Sequence, residues 1–136
     1  MTSAIRVLVV DDHAGVRAAL AALVDATSGM SVVGEAADGS AAVARATALR
    51  PDVVLMDVNM PVMSGFEAAR LLAERQPGVR VLLISAHVHA EVVRTARELG
   101  VMGLLPKCGS ADAVIRAIQD ASAGRYTWPD LAENQT

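Results

Sequence analysis

Aromatic side chains are almost missing from this chain: one Trp, one Tyr and one Phe among 136 residues. Val, Leu, Ile, Ala and Met must fill any core. Cysteine occurs once, at Cys108, which excludes an internal disulfide and fits a reducing compartment. Lysine also occurs once, at Lys107; every other basic side chain is arginine, and no Lys/Arg cluster stands out. The chain itself is therefore a poor nucleic-acid binder. Its longest apolar runs fall far short of the roughly 18–20 residues of a membrane helix. The first five residues lack the basic region and apolar stretch of a secretory signal. A soluble, cytoplasmic protein is expected, without membrane contact. What the chain does have is aliphatic residues: 53% of it is hydrophobic, against a net charge of −3. That is too apolar for disorder and enough for one domain with one core.

Five short apolar runs alternate with five helical patterns. Residues 6–10, 31–36, 53–56, 80–85 and 102–105 are predicted strands, and their nearly continuous apolar character suits strands covered on both faces. Between and after them, the spacing predicts helices over 14–26, 40–49, 65–75, 89–99 and from Ser110 onward. The first places Val16, Leu20, Leu23 and Val24 inward; the fourth does so with Val92, Val93, Ala96 and Leu99; the last with Val114, Ala117, Ile118 and Ala121. Arg50-Pro51 stops the second helix and Pro77-Gly78 the third, Gly100 caps the fourth, and Ser110 is the N-cap of the fifth. Strands alternating with helices of this length form right-handed βαβ units around a parallel sheet. The repeats share a pattern of elements and not a sequence, which excludes a solenoid.

In such a sheet, ligands bind beyond the carboxyl ends of the strands. Asp11-Asp12 follows the first run, Asp57 the third, Ser85 ends the fourth and Lys107 follows the fifth. Singly, each has a commoner explanation: a solvated turn, a cap, an ordinary strand end, a surface charge. Together they form a site for a divalent cation and a phosphoryl group. Converging carboxylates raise each other's pKa unless a hard cation such as Mg²⁺, which prefers oxygen ligands, joins them. A carboxylate at Asp57 can act as a nucleophile and form an acyl phosphate. The Ser85 hydroxyl can donate to a phosphoryl oxygen, with the small Ala86 leaving room, and Lys107 can pair with it.

These residues resemble the receiver domain of bacterial two-component response regulators. Four blocks carry the resemblance, from about Ile5 to Tyr126: Val-Leu-Val-Val-Asp-Asp at 7–12, Val-Val-Leu-Met-Asp-Val-Asn-Met-Pro-Val-Met-Ser-Gly at 53–65, Leu-Leu-Ile-Ser-Ala at 82–86 and Gly-Leu-Leu-Pro-Lys at 103–107. The resemblance implies a flavodoxin-like (βα)5 three-layer α/β sandwich with strand order 2-1-3-4-5. It makes Asp57 the phospho-acceptor, gives Mg²⁺ to Asp11, Asp12, Asp57 and the Asn59 carbonyl, and gives the phosphoryl oxygens to Ser85 and Lys107. It implies a sensor histidine kinase as phosphoryl donor, self-catalysed transfer with slow hydrolysis, and no other enzyme activity. The family's switch turns the hydroxyl at the Ser85 position toward the phosphate and an aromatic inward; here Leu104 takes the aromatic's place. Cys108 follows Lys107 where many receivers have Pro, and Ser64 stands where Asp is common.

The tail resembles the linker of NarL/FixJ-type regulators, which continue into a helix-turn-helix DNA-binding domain. The expected division is a receiver over 1–124 and a linker over 125–136, a polar tail with no core partner; DNA would be reached only through a domain missing here. Phosphorylation-linked homodimerisation is expected through the fourth helix, fifth strand and fifth helix. Asn59 and His87 are expected to tune access and dephosphorylation. His13, His87 and His89 suit a transition metal less well than the carboxylates suit Mg²⁺. Cys108 is expected to be small and partly buried. Two rival functions are a pseudo-receiver signalling without phosphorylation and a haloacid-dehalogenase-like phosphatase. The second wants Asp-x-Asp where this chain has Asp11-Asp12, and no Gly-x-x-x-x-Gly-Lys nucleotide loop is present.

Overall fold

A computed structural model describes residues 3–130. The elements run β1 (Ile5–Val10), α1 (Ala14–Asp25), β2 (Met30–Ala36), α2 (Gly39–Leu49), β3 (Val53–Asp57), α3 (Gly65–Arg75), β4 (Arg80–Ser85), α4 (Ala90–Glu98), β5 (Gly103–Pro106) and α5 (Ala111–Ser122). The five strands pair in parallel in the order β2-β1-β3-β4-β5, the expected flavodoxin-like topology.

Alternation along each strand explains why the strands read as unbroken apolar runs. Leu8, Val10, Val54, Met56, Leu83 and Leu104 point to one face, where Ala42, Ala46, Ala68, Leu72, Val93 and Ala96 of α2, α3 and α4 cover them. Val7, Val9, Val53, Leu55, Leu82, Ile84 and Leu105 point to the other, under Val24 of α1 and Val114, Ala117, Ile118 and Ala121 of α5. Many of the covering residues are alanines, so the helices lie close and the few aromatics are not needed.

The predicted boundaries hold to within one residue, and the differences are physical. Asp57 is itself the last residue of β3, not the first of a loop. In α1, Ala21 is buried beside Val24, while Leu20 and Leu23 are only partly covered. Arg50 adopts a left-handed conformation (φ 50°) as the C-cap of α2, and the Arg6 guanidinium donates to the carbonyls of Leu49 and Arg50 there. Four helices have a side-chain N-cap, from His13, Asp38, Ser64 and Ser110; α4 has none.

The tail departs from expectation. Residues 125–130 do have a core partner. Thr127 pairs in parallel with Gly103 at the outer edge of β5, its N–H donating to Met102 (2.9 Å) and its carbonyl accepting from Leu104 (3.1 Å). Trp128 packs against the α2–α3–α4 core. The remainder of the expected linker, 131–136, and the first two residues lie outside the described residues.

Candidate functional site

Asp11 stands one residue beyond β1, held by its own N–H donating to the Ala36 carbonyl (3.1 Å). It is fully buried, and Asp57 is 3% exposed, whereas Asp12 faces solvent. Asp11, Asp12 and Asp57 offer carboxylate oxygens all within 4.8 Å of one another. Lys107 reaches into this group from beyond β5, its Nζ 2.9 Å from Asp57 Oδ2 and 3.1 Å from Asp11 Oδ2. The Lys107 N–H donates to the Ser85 carbonyl (2.9 Å), which fixes where that side chain starts.

Burial dominates the electrostatics of Asp57. It pushes the Asp57 carboxyl above its ordinary value, and the neighbouring Asp11 charge pushes the same way. Hydrogen bonds from Lys107 and the Asn59 N–H pull it down without cancelling the rise. Burial of the Lys107 ammonium works against its charge, but hydrogen bonds to Asp57 and Asp11 outweigh it and hold the group above the ordinary lysine value. Two carboxylates, Asp11 and Asp57, thus share one ammonium, with the exposed Asp12 beside them. Asp11 Oδ1 accepts from the His13 N–H (2.8 Å), while Asp11 Oδ2 is buried with the Lys107 ammonium as its one neighbouring partner (3.1 Å). Three carboxylates converging as an all-oxygen donor group, with one ammonium beside two of them, fit a hard divalent cation such as Mg²⁺.

Close approach at this edge requires a glycine. A Cβ on Gly65, the first residue of α3, would overlap the Asp57 carbonyl oxygen. Ser64 caps α3 by accepting from the Glu67 N–H (3.2 Å), so serine there does structural work of its own. Between them the loop turns sharply: the Met63 N–H donates to Pro61 (2.7 Å) and Val62 takes φ 69°, with its side chain 85% exposed.

The other predicted residues fall in different places. Ser85 is buried at the end of β4, but its hydroxyl is engaged with the next turn: it donates to the His87 carbonyl (2.9 Å) and accepts from the His87 N–H (3.1 Å). His87 is exposed, and it meets the site through its backbone. Asn59 is exposed and touches Asp57 through its N–H (3.3 Å). Leu104 is fully buried in the α2–α3–α4 core. Cys108 is exposed, not partly buried as expected, because the turn after β5 carries it outward.

One residue near the site has no mark in the sequence. Arg17, on the first turns of α1, donates from Nη1 to the Asp11 carbonyl (2.8 Å) and pairs through Nε with Glu35 of β2 (3.3 Å). It ties the loop bearing the acidic pair to the neighbouring strand. An arginine six positions after an acid has no periodic signature, so only the fold reveals the contact.

A family described as "Response regulator receiver domain" matches residues 7–119. The response regulator GacA of Pseudomonas aeruginosa is 36% identical over 130 residues, covering 95% of this chain and 61% of its own length. The transcriptional regulatory protein LiaR of Bacillus subtilis is 38% identical over 120 residues, covering 88% of this chain and 57% of its own. The chain thus spans about three fifths of the length of these curated relatives. The signal receiver domain of the putative response regulator NarL from Mycobacterium tuberculosis superposes with a TM-score of 0.87 at 36% identity, covering 90% of this chain and 99% of that one.

Proposed function

The chain belongs to the response regulator receiver domains of two-component systems, and from that premise we propose that it accepts a phosphoryl group on Asp57 and changes shape in response. The observation that carries this is the buried Asp57 carboxylate, 2.9 Å from the Lys107 ammonium and grouped with Asp11 and Asp12.

The donor is the phosphohistidine of a sensor kinase. An Asp57 oxygen forms a bond to phosphorus as the phosphorus–nitrogen bond breaks; the imidazole leaves with that electron pair and takes up a proton. Asp11, Asp12, Asp57 and the Asn59 carbonyl would hold Mg²⁺, which supplies neutralisation of the charge on the carboxylate and phosphoryl oxygens. Lys107 already touches Asp57 and needs only a short shift to follow the charge onto the phosphoryl oxygens. Ser85 must give up the bond it donates to the His87 carbonyl before its hydroxyl can donate there. Asn59 and His87 flank the route by which water reaches the acyl phosphate and set its lifetime. The switch controls an output, transcription through a DNA-binding domain beyond this chain, with phosphorylation-linked self-association. The work belongs in the cytoplasm, where the kinase's phosphorylated domain lies; among the described residues no helix is long and apolar enough to cross a membrane. A pseudo-receiver is not favoured, because its grounds, Leu104 and Cys108, lie outside the carboxylate–ammonium group.

The test is ¹⁹F NMR of beryllofluoride, a phosphoryl mimic, with the protein and Mg²⁺. Bound signals are expected for wild type only when Mg²⁺ is present, and none for Asp57→Ala. Signals from Asp57→Ala equal to those of wild type would contradict the assignment.

A further inference from the structure

We propose that residues 125–130 form a state-dependent strap: docked on β5 and α4 while Asp57 is unmodified, and loosened when Asp57 carries a phosphoryl group. The proposal rests on the function just given and adds a readout element to it.

The strap is built in. After α5, Gly124 turns the chain with φ 82°. Arg125 is then anchored by its N–H to the Asp120 carbonyl (2.7 Å) and by its guanidinium to the Asp120 carboxylate (3.0 Å). Thr127 makes its two backbone bonds to Met102, just before β5, and to Leu104 within it, and Gly103 is what lets it in: a Cβ there would overlap the Thr127 carbonyl oxygen. Trp128 stacks on Tyr126 (6.3 Å between ring centres, 13° between planes) and lies beneath the Arg97 guanidinium of α4 at 4.8 Å. Two of the chain's three aromatics are spent on this contact.

The strap and the acceptor site share two elements. β5 is only Gly103–Pro106. Leu104 at one end holds Thr127, and Lys107, immediately after the other end, holds Asp57 and Asp11. The second shared element is α4. It buries only Val93 and Ala96, and its N-cap, His89, makes no side-chain hydrogen bond. The turn leading into it is pinned instead by the Ser85 hydroxyl, through both bonds to His87. When that hydroxyl swings to a phosphoryl oxygen, the turn loses its pin, α4 loses its N-terminal anchor, and Arg97 no longer stays fixed over Trp128. While the strap is docked, the face expected to self-associate, α4–β5–α5, is partly covered by the chain's own residues.

Trp128 is the only tryptophan and reports the strap directly. Its emission and its quenching by acrylamide are measured with Mg²⁺ alone and with Mg²⁺ plus beryllofluoride, with ¹⁹F NMR on the same samples to show occupancy. Beryllofluoride is expected to shift emission to the red and raise the quenching constant about twofold. Exposed Arg97 is replaced in Arg97→Met, which should show the released signal before the mimic is added. By reciprocity that variant should bind beryllofluoride about fivefold more tightly. An occupied wild-type site with unchanged Trp128 emission and quenching would overturn the strap. Equal beryllofluoride affinity in wild type and Arg97→Met would do the same. A site that takes no beryllofluoride would overturn the function beneath it, and the strap's proposed release with it.

Discussion

Adding Mg²⁺ should raise thermal stability, because the folded protein brings three carboxylates within 4.8 Å of one another and one ammonium, paired with Asp11 and Asp57, leaves part of their charge uncompensated. Binding to the native state alone stabilises by RT ln(1 + [Mg²⁺]/Kd), about 1.4 kcal/mol at ten times Kd and about 2.7 at a hundred times. Unfolding entropy of about 2.1 cal/mol/K per residue gives about 290 cal/mol/K for 136 residues, so each kcal/mol moves Tm by about 3.5 °C. The expected rise is therefore about 5 °C at ten times Kd and about 9 °C at a hundred times. Calorimetry or circular dichroism should be run at matched ionic strength, because sodium chloride also screens repulsion between the acids. Asp11→Asn removes the buried donor and should flatten the curve. A wild-type Tm that does not respond to Mg²⁺, or a rise of equal size in Asp11→Asn, would refute the reasoning.

Two further outcomes follow from the same geometry. In Mg²⁺-free buffer the folded protein holds the Asp57 proton more tightly than the unfolded chain, so stability attributable to Asp57 should fall as pH rises from its ordinary value of 3.8 through the higher folded value. Lys107 acts at the other end: its contribution is complete below 10.5 and is lost as pH rises through its raised folded value. Denaturation curves of wild type and Asp57→Asn should diverge across the acidic window, and parallel curves would contradict it. Arg17→Gln gives a test by sign. Loss of a nearby cation should tighten Mg²⁺ by Coulomb attraction, whereas loss of the tie to the Asp11 carbonyl should loosen it. We expect the tie to win, with Mg²⁺ affinity by titration calorimetry down about three- to tenfold, a cost of about 0.7–1.4 kcal/mol; unchanged or tighter binding would count against it.

Much of this structure is visible in the residues themselves. The central strands show because both faces are covered, leaving almost no polar positions to interrupt the runs; the edge strand β2 carries Ser31 and the exposed Glu35 and reads less clearly. The site shows because its members sit at strand ends, where sequence position translates directly into spatial position. What stays hidden is contact between side chains or backbones far apart in the chain. Nothing in the order of residues says that Arg17 reaches the Asp11 carbonyl or that the Ser85 hydroxyl is turned to His87. The docking of Thr127 had one available clue: Gly103 opens the apolar strand β5, and glycine in a strand often marks another backbone coming close. Ser64 had one too, since Ser64-Gly65-Phe66-Glu67 has the spacing of a capping box.

The most direct test of the central claim is intact mass after incubation with Mg²⁺ and a small phosphoryl donor, for wild type and Asp57→Asn. The account predicts one added phosphoryl group on wild type, dependent on Mg²⁺, and none on the variant. An adduct of equal size on Asp57→Asn would contradict it.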